Sequence, residues 1–372
     1  MTVGLPKSRL LSRLDSALAR TRDPVEAACL RVERAGFLVR HGHATEAQAE
    51  LDAVRAQFAR EPHPGVSAWL CIAEGWQLHF GSLSGLARDK MKRAEALSAA
   101  AGLLPLQALS AAWLAHMDYC ASDLEGLVHH VGLALRLAAD DHHAARARAT
   151  MVVALAYHFA ERADRAQPWY ARAREHALAD GDETTLSALN YNISGHRVHH
   201  AMQAAVFGGD DTTQQARHAL AGAECARNFD QWIGTLSLDA LVPMQRACMA
   251  SMQGRHAEAL ALYEKHLADA QQQGLRRIAA AYLADMAWCR WHLGDRAGAS
   301  RDAHAAAGHI DAGMHPDDRA VAHGRLGLVF KLLGDTPAAL LHGALGRDFL
   351  AQHRQCQAAM FDALERARLG SP

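Results

Sequence analysis

The feature that most constrains this chain is a turn signal that returns about every 40 residues. Gly254-Arg255-His256, Gly294-Asp295-Arg296 and Gly334-Asp335-Thr336 succeed one another at equal spacing, each closing one helical stretch and opening the next. In the first half, equivalent turns fall at His41-Gly42-His43, Phe80-Gly81-Ser82, Ala121-Ser122-Asp123 and Glu161-Arg162-Ala163. About seven residues before the turn sits a small side chain: Ala35, Ala154, Ala247, Ala287 or Gly327, with Leu114 the exception. About five residues after it sits another: Ala47, Ala166, Ala259, Ala299 or Ala339. Two helices joined by a tight turn need small residues where their backbones come closest. One such hairpin cannot bury its apolar face, whereas a stack of hairpins can.

Composition agrees. About 80 of the 372 residues are Ala; half the chain is hydrophobic, yet only 6% is aromatic. That apolar content excludes disorder, and the shortage of β-branched and aromatic residues points to closely packed helices. No period-2 stretch reads as a strand. The predicted fold is therefore all-α.

The stretch Gly254-Arg-His-Ala-Glu-Ala-Leu-Ala-Leu-Tyr263-Glu-Lys-His-Leu resembles the second half of a tetratricopeptide repeat (TPR). Asp164-Arg-Ala166-Gln-Pro168-Trp169-Tyr170-Ala-Arg172-Ala173 resembles the same half in the longer-period MalT-like and kinesin-light-chain-like repeats. The likeness spans residues 24–350 and departs from the pattern at Gly75-Trp76 and Trp113-Leu114. It implies a right-handed α-solenoid of about eight helix-turn-helix repeats with capping helices, its first helices lining a concave groove.

The expected organisation is a single superhelical domain over 1–372. It comprises an N-terminal cap (1–20), repeats one to four (24–182), an irregular long-helix repeat (183–230), repeats six to eight (231–350) and a C-terminal cap (353–369). In the irregular repeat, Glu183–Phe207 reads as one long helix ended by Gly208-Gly209-Asp210-Asp211, with around 13 residues added to the period. Such insertions often lie on a binding face, although a plain joint between two sub-arrays reads equally well. In the C-terminal cap, Met360, Phe361, Leu364 and Leu369 should face inwards.

The search for chemistry is mostly negative. There is no P-loop, no G-x-S-x-G elbow and no H-E-x-x-H, so no cofactor is expected and the chain reads as a non-enzyme. Asp140-Asp141-His142-His143 lies between two predicted helices, where a solvated cap is expected. Histidine is abundant (24 residues, against 5 Lys). His196 and His200 stand i, i+4 on the central helix and are weak metal candidates, with no third ligand nearby in sequence. On the same helix Asn192, His196, His199 and Gln203 form one polar stripe, and Asn190 lies beside it. An amide can pair with the backbone of an extended peptide whatever its sequence, and TPR-like peptide sensors use Asn in this way. Tyr119, His158, Trp288, Trp291 and His292 fall late in first helices and are further groove candidates, or else packing residues. Arg146, Arg148, Arg162, Arg165, Arg172 and Arg174 read first as a charged surface and second as a site for an acidic partner.

The favoured function is a regulatory scaffold or adaptor that binds a peptide or partner protein in the groove. The alternative is a metal- or ligand-dependent helical enzyme or sensor using His196, His199 and His200, and homodimerisation is a further option. A net charge of −1 gives no pull towards nucleic acid, and no apolar run is long enough to span a membrane. The N-terminus lacks a secretory apolar core, and Leu10, Leu11, Leu14 and Leu18 suit a structural helix better than a transit peptide. The seven cysteines, none in a C-x-x-C pair, read as buried, reduced thiols. A bacterial, cytoplasmic protein is expected.

Overall fold

The computed structural model describes residues 6, 8–208 and 212–369, with side chains throughout except at 212–216 and 277. Among the described residues there are seventeen α-helices, one 3-10 turn and no strand. The chain divides into two compact units: Met1–Leu189 with Phe229–Leu238 and Ala359–Pro372, and Asn190–Asn228 with Asp239–Ala358.

The first unit opens with α1 (Arg9–Arg20) and continues through four hairpins: α2 (Pro24–Arg40) with α3 (Ala44–Gln57), α4 (Pro64–Ser82) with α5 (Leu86–Ala100), α6 (Leu104–Cys120) with α7 (Leu124–Leu137), and α8 (His143–Phe159) with α9 (Ala163–Asp180). Capping side chains start these helices: Asp23 ahead of Pro24, His63 ahead of Pro64, Asp123 and His142 each accept a backbone N–H from the first turn. His142 thus caps α8, as the capping reading of Asp140–His143 required, while Asp140 pairs with Arg146.

The two ends of this unit meet. Leu10 N–H donates to the Gly181 carbonyl at 3.2 Å, and Ser8 Oγ donates to Glu183. The segment 229–238 returns to the first hairpin: Leu236 N–H donates to the His41 carbonyl (2.9 Å) and Ser237 Oγ to the Arg40 carbonyl (2.6 Å). A Cβ at Gly42 would lie 2.7 Å from Ser237 N, so only glycine admits this approach. The end of the last helix also belongs here. Met360 and Leu364 are buried, and Glu365 accepts from Tyr157 and Arg165.

The second unit holds most of α10 (Glu183–Phe207) and α11 (Thr212–Ile233). It continues with α12 (Leu241–Met252), α13 (His256–Gln272), α14 (Ala279–His292), α15 (Arg296–His309), α16 (Pro316–Leu333) and most of α17 (Thr336–Ala367). At the α16–α17 turn Gly334 takes φ +90°, and Asp335 then caps α17 through Ala338 N–H.

The close-contact positions read from the sequence are packed as required. Ala35, Ala154, Ala247, Ala287, Ala47, Ala166, Ala259 and Ala299 are all buried, and so is Leu114; Ala339 is half-buried. A Cβ at Gly327 would come within 2.9 Å of Gly343 N, so α16 and α17 touch backbone to backbone. The single helix predicted over Glu183–Phe207 is present; residues 209–211 of its expected stop lie outside the described residues, as do 1–5 and 7 of the N-terminal cap.

Three expectations need correction. The second turn is not at Gly81: α4 runs on to Ser82, and Leu83 adopts the left-handed conformation (φ 49°). The C-terminal cap is not a separate helix, because nothing breaks α17 between Thr336 and Ala367. Nor are all the cysteines buried. Cys71, Cys248 and Cys289 are, Cys29 and Cys120 are half-buried, and Cys225 and Cys356 lie on exposed faces of α11 and α17. No described helix is long and apolar enough to cross a membrane.

Gly327→Ala should destabilise the protein by about 1–3 kcal/mol, since two backbones must separate to admit one methyl group. Gly308→Ala, with open space around it on α15, should be neutral or slightly stabilising. Urea unfolding of the two variants checks the contrast.

Candidate functional site

The sequence candidates are scattered among packing contacts. Tyr119 lies edge-on to Phe159, with ring centroids 6.4 Å apart, and His158 Nδ1 is 3.0 Å from Tyr170 Oη. Trp288 lies beneath Arg325 and against His292, which is stacked on His256; Trp291 carries Arg296. On α10, Asn190, Asn192 and His196 are half-buried and His200 is exposed. His199 Nε2 is 2.8 Å from Gln203 Nε2 and 3.4 Å from Asp317. Ligating atoms of His199, Asp317 and Asp318 lie within 4.8 Å of one another, a group that includes neither His196 nor His200. The two carboxylates come from the first turn of α16 and stand with His199, so the group is not built on the His196–His200 pair.

The more distinctive arrangement is in the first unit, where α1, α2, α4, α6, α8 and the α9–α10 turn surround a recess of about 30 Å3. That is room for about two waters or one carboxylate group. Its aromatic wall is Phe37, Trp69, Trp76 and Trp113. Trp76 meets Trp69 and Trp113 edge-on, with centroids 6.3 and 5.7 Å away. Gly36 makes this possible, because a Cβ there would fall 2.4 Å from the Trp76 ring. Behind Trp113 lie His79 and His116. Burial, reinforced by the charge of Arg148, pulls His79 down to about 4 and His116 well below its ordinary value, so both are neutral at pH 7.

Charged groups complete the wall. Arg40 Nη1 donates to Asp182 at 2.6 Å, and both side chains are buried. Burial pushes the Asp182 carboxyl up, but Arg40 and the Thr184 and Thr185 hydroxyls outweigh it and hold the group well below the usual carboxylate range. Asp180 is bound by Arg13 at 2.7 Å. Burial and the nearby Asp180 raise Glu33 to about 7, against the pull of Arg13 and Arg40. Arg148 sits over Trp113, its guanidinium carbon 3.8 Å from the ring centroid, and is only 5% exposed. Burial and the like charge of Arg40 pull it down to about 9, which leaves it cationic at neutral pH. It has no ion pair or hydrogen bond among the described residues. The other arginines of the sequence set behave differently: Arg146, Arg162, Arg165 and Arg172 reach carboxylates at the surface.

Trp76 and Trp113, where the sequence departs from the expected repeat pattern, pack in the buried core and also wall the recess.

Arg40 and Arg148 should respond oppositely to neutralisation. Arg40→Met strands a buried carboxylate and should cost about 3–5 kcal/mol. Arg148→Met removes an unpaired charge, keeps the stem against Trp113, and should leave the melting temperature unchanged or raised. Thermal melts of both variants decide this.

No protein-family profile and no curated protein matches the chain. Among solved structures it is similar to a Rap protein complexed with competence and sporulation factor, with a TM-score of 0.54 and 11% identity, over 93% of this chain and 92% of that one. At that identity the likeness establishes the fold alone, an all-α arrangement of helical repeats.

Proposed function

We propose that this protein is a non-catalytic regulatory scaffold that binds a peptide or a segment of a partner protein on its first helices, in the manner of long-period MalT-like TPR proteins. The observation that carries this reading is the recess of the first unit, where buried Trp rings surround a cationic group with no partner of its own. Aromatic rings and arginine are the residues that most often dominate binding energy, because they offer large rigid area and directed donors. The Rap protein of similar fold is complexed with competence and sporulation factor, a precedent for a factor held by such a fold. The polar stripe of Asn190, Asn192, His196, His199 and Gln203 is proposed as a second contact surface, in the other unit. Tyr119, His158, Trp288, Trp291 and His292 are minor candidates, since their rings already pack within the fold. Selection of a random peptide display library on the immobilised full-length protein should enrich binders of about micromolar affinity; absence of enrichment rejects the reading. Asn192→Ala with His199→Ala should weaken the enriched peptides by about tenfold without shifting the melt, and equal binding removes the stripe from the site.

One observation favours a second, metal-dependent reading: His199, Asp317 and Asp318 place an imidazole and two carboxylates around a common point. Equilibrium dialysis against Zn2+ or Mn2+ tests it. One equivalent retained below about 10 μM, and lost in Asp317→Asn, supports the reading. No retention discards it.

A further inference from the structure

Three arginines are buried to a similar depth: Arg40 at 7% exposure, Arg148 at 5% and Arg325 at 4%. Two of them are neutralised within the fold. Arg40 has Asp182 at 2.6 Å, and Arg325 has Asp285 at 3.1 Å. Arg148 has the face of Trp113 and no anion. A cation–π contact offsets part of its desolvation, but it leaves the guanidinium donors unused.

Other donors on the same wall are also in excess. Arg40 Nε and Trp76 Nε1 are buried with no acceptor. Two of the three acids nearby are already committed. Asp182 already accepts from Arg40, Thr184 and Thr185, and Asp180 is held by Arg13. Glu33 lines the recess but pairs with no described side chain. The recess therefore holds one guanidinium, Arg148, whose donors no described side chain accepts, among aromatic rings and with Glu33 in the same lining.

We propose that the recess is an anchor site for a carboxylate carried on an apolar stem, which accepts hydrogen bonds from Arg148. The inference rests on the peptide-binding reading and names its anchoring group. Size and charge select the carboxylate. A space of about 30 Å3 suits a planar two-oxygen group that a guanidinium can grip with two parallel bonds. A phosphate dianion is bulkier and would bring a second negative charge towards Glu33, Asp180 and Asp182, which line the same recess. The stem would lie against Trp69, Trp76 and Leu109. Two sources share this chemistry: the free C-terminus of a peptide, and an Asp or Glu side chain within one.

Three random hexapeptide pools separate them: free-acid peptides lacking Asp and Glu, the same peptides as C-terminal amides, and amidated peptides containing Asp and Glu. Each is equilibrated with the full-length protein and read by ultrafiltration with mass spectrometry, alongside tryptophan fluorescence. Wild type should retain at least one carboxylate-bearing pool about tenfold better than the acid-free amides, and whichever pool is retained identifies the source. Arg148→Gln should abolish that preference. Arg148→Lys keeps the charge but loses the two-bond grip and should reduce the preference by about threefold, which keeps the test informative if Arg148→Gln unfolds. Equal retention of all three pools by wild type, or a preference unchanged in folded Arg148→Gln, overturns the carboxylate anchor while peptide binding stands. Retention of no pool overturns both.

Discussion

The buried ion pair between Arg40 and Asp182 is the interaction on which the first unit depends. It joins residues 142 positions apart, the end of α2 and the α9–α10 turn. Such a pair brings little net stability, since desolvating both charges cancels most of their attraction. Its effect is on geometry, because neither charge tolerates separation. Around it the hydrogen bonds of Ser8, Leu10, Leu236 and Ser237 close the same seam. The walls of the recess are thus held by contacts that owe nothing to a ligand, and a ligand would meet a site already organised.

Histidine makes more sense in this setting than as a collection of ligands. His63 and His142 cap helices through a ring nitrogen. His130 contacts the buried Asp118, which also holds Arg88. His79 and His116 fill space behind Trp113 as neutral aromatic rings. A lysine could do none of this, because its head must stay in water and it accepts no hydrogen bond. Much of the histidine excess is therefore structural, whereas His199 faces the carboxylates of Asp317 and Asp318.

What could be read from the sequence was whatever repeats locally. Ala287 and Ala299 show themselves because the hairpin demands small residues at fixed distances from its turn. The turn at Leu83 was misplaced for the same reason: glycine advertises a left-handed residue, and leucine does not. The recess was beyond such reasoning, since Arg40, Trp76, Trp113 and Arg148 come from four different repeats and converge only once the ends of the unit meet. Residues 229–238 return to the first hairpin through backbone hydrogen bonds, which leave no mark on side-chain pattern. The carboxylate beside His199, Asp317, lies far along the chain, so the sequence around His199 does not reveal it.

The contrast between Arg325 and Arg148 separates scaffold from site. Both are deeply buried and both lie over a tryptophan, so their environments differ chiefly in the anion. Where the fold needs a buried guanidinium for packing, it supplies Asp285 and Tyr263 to complete the network. At Arg148 it supplies Arg40, a second cation whose charge lowers the affinity of Arg148 for its own proton. Arg40 is matched by Asp182, and Arg148 is left without an anion of its own. An anion entering the recess would relieve that repulsion as well as fill the donors, so binding would tighten the same seam that Arg40 and Asp182 close. Linkage then requires the converse: whatever loosens the seam weakens the ligand.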